Sequence, residues 1–194
     1  MGGEFAALHA GLDAWRVRFG ARYLRATAAS APISALALAR ARAWCRRRDA
    51  ARGRVATRAL FAALGGGGAV PGRVARAGGA GWGLFARRAL RQGEALGEYS
   101  GVLVEGWRGG RFRPYLLRFP FPFRWAVDAG PAGNELRFVN HSSRAANLDR
   151  DFVFHDGLPR PLLIASRAIA AGEQLLLDYG PGYAFARPPL ELTP

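Results

Sequence analysis

The sequence predicts a mainly β domain, built of short strands on small curved sheets and preceded by a helical, arginine-rich extension. Three observations predict this. Residues 1–64 hold 12 arginines against only Glu4, Asp13 and Asp49, and they are rich in alanine, a composition that favours helix. Gly65 to Gly68 is an unbroken glycine run, too flexible to hold secondary structure, and it marks a linker over 65–70. From Pro71 onward the apolar residues come in short blocks punctuated by glycine and proline, which is a strand pattern. The chain therefore divides into an extension at 1–64, the linker, a β domain at 71–180 and a short tail at 181–194.

Within the extension, Phe5, Leu8, Leu12, Trp15, Phe19 and Tyr23 recur every three or four residues, which stacks them on one stripe of an amphipathic helix. Ser30, Ala31 and Pro32 signal a boundary. Alanine-rich sequence from residue 33 to about 64 predicts a second helix with a break at Gly53. In the β domain the expected strands are 73–76, 83–86, 95–99, 115–119, 125–127, 151–155, 162–166 and 174–177. Little helix separates them, so a site has to be built from turns.

Composition narrows the function classes. A chain of 194 residues, half of them apolar, can bury a real core. Its 28 basic residues, all arginine, outnumber its 14 acidic ones, giving a net charge of +14. With no lysine, the chain offers no lysine side chain of its own for modification. Cys45, the single cysteine, excludes an internal disulfide framework and a Cys-rich zinc site, and it reads as a small buried side chain. Arginines interrupt every apolar run in the extension, so no membrane span is expected. The basic balance favours acidic partners such as nucleic acid. Three readings of the extension stay open: an organelle presequence, a nucleic-acid or chromatin contact through its arginines, and a helical segment packed on the domain with a solvated basic face.

Four clusters carry residue types that are poor choices for a generic core. Gly78-Gly79-Ala80-Gly81-Trp82-Gly83-Leu84 sets glycines around an indole, letting backbone approach a ligand beside a flat apolar wall. Glu98-Tyr99-Ser100-Gly101 ends a strand with a phenol, and Tyr115 opens the next strand. Arg137-Phe138-Val139-Asn140-His141-Ser142-Ser143 packs donors and acceptors that need partners if buried. His9 and His155 show no metal-ligand spacing with His141. Asp178-Tyr179-Gly180 follows three leucines and can present a hydroxyl to a cavity.

In this order the clusters resemble the SET-domain family of protein lysine methyltransferases. The family's opening Gly-Trp-Gly-Leu turn and Glu-Tyr-x-Gly run resemble residues 81–101. Its strand with an opening tyrosine is similar to Tyr115-Leu116-Leu117. Its Asp-Ala, Gly-Asn and Arg-Phe-x-Asn-His-Ser run is similar to Asp128-Ala129, Gly133-Asn134 and Arg137 to Ser142, and its closing Gly-Glu-Glu and Asp-Tyr-Gly elements to residues 165–180. The resemblance implies a SET-domain β-clip fold with a knot-like crossing of the Asn140 segment and the closing strand. It implies that S-adenosylmethionine lies against Gly81, Trp82 and Gly83, held by Asn140, His141 and Tyr179. It makes Tyr179 and Tyr99 the catalytic phenols and Tyr99, Tyr115, Leu177 and Tyr183 the walls of a target-lysine channel. The implied partner is a lysine-bearing protein, with histones and ribosomal proteins as candidates, and the implied setting is nuclear chromatin, with an organelle or the cytoplasm as alternatives. Glu94, Glu98, Glu105 and Asp128 offer acidic contacts for a basic peptide. A SET-fold binding module without turnover is the competing class.

The chemistry explains the residue types. A lysine ammonium has a pKa of about 10.4 and no lone pair, so methyl transfer needs the neutral amine aligned with methyl and sulfur. An apolar channel and the nearby sulfonium charge both favour the neutral form. Tyrosine hydroxyls and backbone carbonyls then orient the amine. Three departures from the family pattern stand out. Ser143 replaces the usual cysteine, Asn147 sits one residue later than usual, and no Cys-rich segment follows Gly180. Gly182, Tyr183, Ala184 and Phe185 offer an aromatic cover in its place.

Overall fold

A computed structural model of the protein describes residues 22–23, 27–29, 33–52, 70–105, 114–120 and 123–180. The expected helix stripe up to Phe19, Tyr183, the tail and nearly all of the glycine linker lie outside the described residues. In chain order the elements are β1 (Arg22–Tyr23), β2 (Ala28–Ala29), α1 (Ala35–Arg52), β3 (Gly72–Arg76), β4 (Trp82–Ala86), β5 (Ala95–Glu98), β6 (Val102–Glu105) and β7 (Leu116–Arg118). They continue as β8 (Trp125–Asp128), β9 (Ala132–Gly133), β10 (Asn140–His141), β11 (Leu148–His155), β12 (Leu158–Ala165) and β13 (Leu176–Leu177). The fold is mainly β, made of small curved sheets, as the sequence predicts. Each expected strand finds a counterpart, and β6 and the two-residue strands β1, β2, β9 and β10 are additions.

Helix α1 forms where alanine, leucine and arginine dominate, and the expected break at Gly53 lies outside the described residues. Ala41 and Cys45, one turn apart, are buried, and Trp44 beside them meets Phe123 edge-on at 5.4 Å and Phe152 at 6.1 Å. The stripe docks on the β core, which supports the packed-helix reading for this part of the extension. Tyr23 corrects the first-helix reading. Arg22 and Tyr23 are extended and pair in parallel with Ala132 and Gly133, so the helical stripe cannot continue through them.

Two sheets hold most of the strands. One runs β10-β13-β11-β12-β5 and the other β2-β6-β8-β7, while β3 and β4 form a hairpin ladder from Gly72/Ala86 to Arg76/Trp82. Their inward faces meet in one core containing Leu84, Leu96, Leu103, Val127, Leu136, Phe138, Leu148, Phe152, Leu163 and Leu175. Each such leucine contributes about 1.5–3 kcal/mol by leaving water.

A repeated turn holds these sheets in place. Arg88 donates to Glu94 Oε1 at 2.6 Å and to the Ala89 carbonyl, and Glu94 Oε2 accepts from Arg91 N. Arg167 does the same with Glu173 Oε1 at 2.7 Å and the Ala168 carbonyl, and Glu173 Oε2 accepts from Ala170 N. The two copies face each other across the Leu90/Ile169 bridge, each turning at a left-handed glycine, Gly93 or Gly172. Both carboxyls are held below the usual carboxylate range. Arg88 is the main cause for Glu94. At Glu173 burial works in the opposite direction and is outweighed by bonds from Arg167, Ala170 N and Asn147.

A buried ion pair lies at the end of β5. Glu98 and Arg160, far apart in sequence and both buried, meet at 3.1 Å, and Thr27 N donates to the same carboxylate at 2.8 Å. Arg160 also donates to the His155 carbonyl, so the pair is satisfied as well as matched in charge.

Candidate active site

The closing segment crosses the Asn140 segment through backbone pairing. Strands β10 and β13 run parallel, Asn140 opposite Leu176 and His141 opposite Leu177. Tyr179 N then donates to His141 Nδ1 at 3.1 Å, and the two rings sit 5.3 Å apart. Asn147 secures this crossing. Fully buried, it donates to Gln174 O and Glu173 Oε1 and accepts from Leu176 N, so the one-residue shift from the family pattern leaves its amide on the closing strand.

On one side of the crossing lies a glycine cradle. Gly81 is left-handed at φ +78°, which glycine adopts without strain. A Cβ on Gly83 would lie 2.8 Å from Ala77 Cβ and from Gln174 Nε2, and 3.2 Å from Asn140 Nδ2, so only glycine fits. Asn140 Nδ2 donates to the Trp82 carbonyl at 3.0 Å. The Trp82 ring carries the Arg76 guanidinium at 4.3 Å over one face, so part of the expected apolar wall is covered by a cation. Gln174 Nε2 is buried beside Gly83 without a hydrogen-bond partner. An orphaned donor next to a backbone cradle suits a ligand that carries a carboxylate, hydroxyl or ring-nitrogen acceptor. These residues fit the S-adenosylmethionine implied by the sequence.

On the other side is a pocket of about 150 Å³ lined by Tyr99, Tyr115, Tyr179, Val139, Leu116 and Leu117, and by Arg118, Arg137, Arg150 and Gly180. The three tyrosines, distant in sequence, meet around this one pocket. Tyr179 Oη donates to the Val139 carbonyl at 2.5 Å, and Tyr99 Oη to the Tyr115 carbonyl at 2.8 Å. Tyr115 precedes β7 instead of opening it, because its φ of +65° is left-handed. That conformation costs a non-glycine residue about 1 kcal/mol, and its carbonyl recovers stability by accepting from both Tyr99 Oη and Ala129 N. The short segment Val139-Asn140-His141 joins the two halves: Val139 lines the pocket and Asn140 holds the cradle.

Several site expectations need correction. Leu177 is buried in the core and does not line the pocket, because its strand pairs with β10 and β11. Three of the four acids offered for a basic peptide are engaged elsewhere. Glu98 is spent on Arg160, Glu94 on Arg88, and buried Asp128 accepts from Gly130 N. Sequence reasoning missed Arg118, Arg137, Arg150 and Gln174. Arg137 lay inside a quoted motif, whereas nothing local marks Arg118 or Arg150. Gln174 departs from the family's second glutamate, a signal that was present in the sequence. Among the described residues no cluster of His, Cys, Asp and Glu is arranged to hold a metal ion, and no helix is long and apolar enough to cross a membrane.

Comparison with known proteins agrees with this geometry. The SET domain family matches residues 81–180. The histone-lysine N-methyltransferase MEDEA of Arabidopsis thaliana is 38% identical over 112 residues, covering 54% of this chain and 16% of MEDEA. The histone-lysine N-methyltransferase EZA1 of the same plant is 34% identical over 120 residues, covering 57% of this chain and 14% of EZA1. The chain thus matches only about a sixth of the length of these relatives. Among solved structures, an active polycomb repressive complex 2 in the stimulated state superposes with a TM-score of 0.53 at 29% identity, over 61% of this chain and 16% of that one. The ctPRC2 complex in an autoinhibited conformation bound to S-adenosylmethionine gives 0.54 at 26%, over 69% and 19%. The cradle, the crossing and the matched motifs agree, and the chain belongs to the SET-domain family.

Proposed function

We propose that this protein transfers a methyl group from S-adenosylmethionine to the side-chain amine of a protein lysine. The observation that carries the reading is the convergence of Tyr99, Tyr115 and Tyr179 on one pocket, joined through Val139 to His141 to the glycine cradle. When bound, the cofactor supplies an electrophilic methyl on a sulfonium. Gly81 and Gly83 let it approach the backbone, Trp82 provides the uncovered part of its indole, and Asn140, His141 and Gln174 provide or orient hydrogen-bonding groups.

The pocket performs the rest. Tyr179 and Tyr99 are tethered to carbonyls on neighbouring segments, which fixes their oxygens before substrate arrives. Tyr115 forms a wall, its ring stacked on Arg137 at 3.9 Å. A lysine entering between these rings leaves most of its water behind, and its proton departs to solvent before the stem fills the pocket. A neutral amine held there would be placed to receive the methyl group that the bound cofactor would supply. The hydroxyls and carbonyls orient the amine, and because its proton has already gone to solvent no general base is required. The relatives' names make histones the first candidates, and ribosomal proteins fit the same chemistry. A chromatin setting follows from the histone reading, and nucleic-acid contact through the N-terminal arginines is a compatible addition.

The test is incubation of the full chain with radiolabelled S-adenosylmethionine and separate mixtures of histones and ribosomal proteins. Label on lysine of a substrate band is expected. Cofactor binding by calorimetry with no label on any protein, across both mixtures, favours the binding-module class instead.

A further inference from the structure

Helix α1 has two unlike faces. Ala37, Leu38, Ala41, Trp44 and Cys45 form the stripe that docks on the β core, with the Trp44 ring against Phe123 and Phe152. At about 100° per residue, Arg42 and Arg46 leave one flank of that stripe, one turn apart, and Arg40 and Arg47 leave the other, two turns apart. All four are exposed, and Leu36, Ala39 and Ala43 between the two rows carry no hydrogen-bonding side chain. The helix holds six arginines in all against one acid, Asp49. The ion pairs formed among the described residues lie in the β domain, where Arg88 is spent on Glu94 and Arg167 on Glu173. Among the described residues no carboxylate pairs with Arg40, Arg42, Arg46 or Arg47. That includes the acids of β11, the strand on which α1 packs: Asp151 is buried and accepts from Phe152 N, and the exposed Asp149 reaches none of the four.

We propose that this face of α1 binds the phosphate backbone of a nucleic-acid duplex without reading its sequence. The inference goes beyond methyl transfer and does not depend on it, since α1 lies outside residues 81–180. A guanidinium offers a planar fork of donors that matches two phosphate oxygens. A duplex carries one negative charge per about 1.7 Å of its axis, so a helix about 27 Å long laid along it meets more phosphates than it has arginines. Reading bases takes hydrogen-bonding groups aimed at base edges, and the strip between the arginine rows offers none. Single strands are held by stacking their bases on aromatic rings, whereas Trp44 is turned into the core. A basic helix settles on an anionic membrane by burying its apolar face in lipid, and here that face is already docked. Because Trp44 ties α1 to Phe152 on β11, a bound duplex is attached to the same domain that carries the pocket.

The experiment uses the full chain without cofactor. Labelled duplexes of two unrelated sequences, each as DNA and as RNA, are titrated by fluorescence anisotropy over a range of salt, beside the single strands and phosphatidylserine vesicles. One variant combines Arg40→Gln, Arg42→Gln, Arg46→Gln and Arg47→Gln, because glutamine keeps helix propensity at these exposed positions. Loss of these phosphate contacts should make the slope of log K against log salt shallower by about 3–4 and weaken binding at low salt by about tenfold or more. A charge-matched control combines Arg73→Gln, Arg91→Gln, Arg124→Gln and Arg144→Gln, exposed positions of the β domain, and should change the slope by less than about half as much. Thermal melts check that each variant folds. If the helix variant does not, the pairs Arg40/Arg47 and Arg42/Arg46 are replaced separately, each expected to carry about half of the effect. Duplex binding with this pattern, by DNA or by RNA, supports the proposal. An unchanged slope in the folded helix variants, an equal drop in the control, a strong preference between the two sequences, tighter binding of single strands, or preference for vesicles over duplex overturns it.

Discussion

Placing one methyl group on Gly83 tests the cradle directly. In Gly83→Ala the new Cβ would lie 2.8 Å from Ala77 Cβ, a stiff neighbour, and equally close to Gln174 Nε2, which can swing away. The Asn140 amide at 3.2 Å would also have to yield, weakening its bond to the Trp82 carbonyl. Because Gly83 is not left-handed, the backbone accepts alanine and the cost is crowding alone. Overpacking of this kind costs about 1–3 kcal/mol, which for a chain of this size lowers the melting temperature by about 2–4 °C per kcal/mol. Cofactor affinity should fall further than stability, since the cradle wall itself moves. Gly81→Ala separates crowding from backbone strain: a Cβ there meets nothing within 4 Å, and only its backbone at φ +78°, ψ −108° resists, at about 1–3 kcal/mol. Calorimetric S-adenosylmethionine titration and thermal melts of both variants decide it. If Gly83→Ala binds cofactor and melts like the parent, the cradle does not hold the cofactor as described.

Three further outcomes follow from the same contacts. Glu98→Gln removes the charge opposite buried Arg160 and should destabilise the chain by about 3–5 kcal/mol in denaturant melts, whereas replacing the exposed Glu105 should change little. Asn147→Ala leaves Leu176 N and the Gln174 carbonyl without their side-chain partner, so the closing strand should lose hydrogen-exchange protection before the rest of the domain. Acid titration should show a stability loss tied to Glu94 and Glu173. Their folded pKa values lie below the unfolded ones, so their contribution is present above the ordinary carboxylate range and disappears as pH falls through the folded values. Glu94→Gln combined with Glu173→Gln should flatten that acid limb of the melting curve.

The sequence made the strands legible because each carries a short apolar block between turn residues, and the site legible because its clusters follow one another in a known order. What it could not show was pairing across distance. Glu98 reads as a surface acid until Arg160, on another strand, closes on it. Strand β6 was missed because Gly101 hides the start of Val102-Leu103-Val104, whose partners lie on β8. Tyr115 was placed in a strand because tyrosine favours strands, but tertiary contacts to Tyr99 and Ala129 hold it left-handed. Leu177 was assigned to the channel by the family resemblance alone. Its backbone register with His141 and Leu148 turns it into the core instead. Arg118 and Arg150 belong to no motif, and only the folded sheets bring them to the same pocket.

The central claim is that Tyr179 orients a lysine amine for methyl transfer. Single-turnover transfer rates of the parent chain and Tyr179→Phe, measured with cofactor saturating and its binding checked separately, test it most directly. Loss of the hydroxyl bonded to the Val139 carbonyl should slow transfer by about 100-fold or more while cofactor affinity changes little. Equal transfer rates in a folded, cofactor-bound variant would contradict the account.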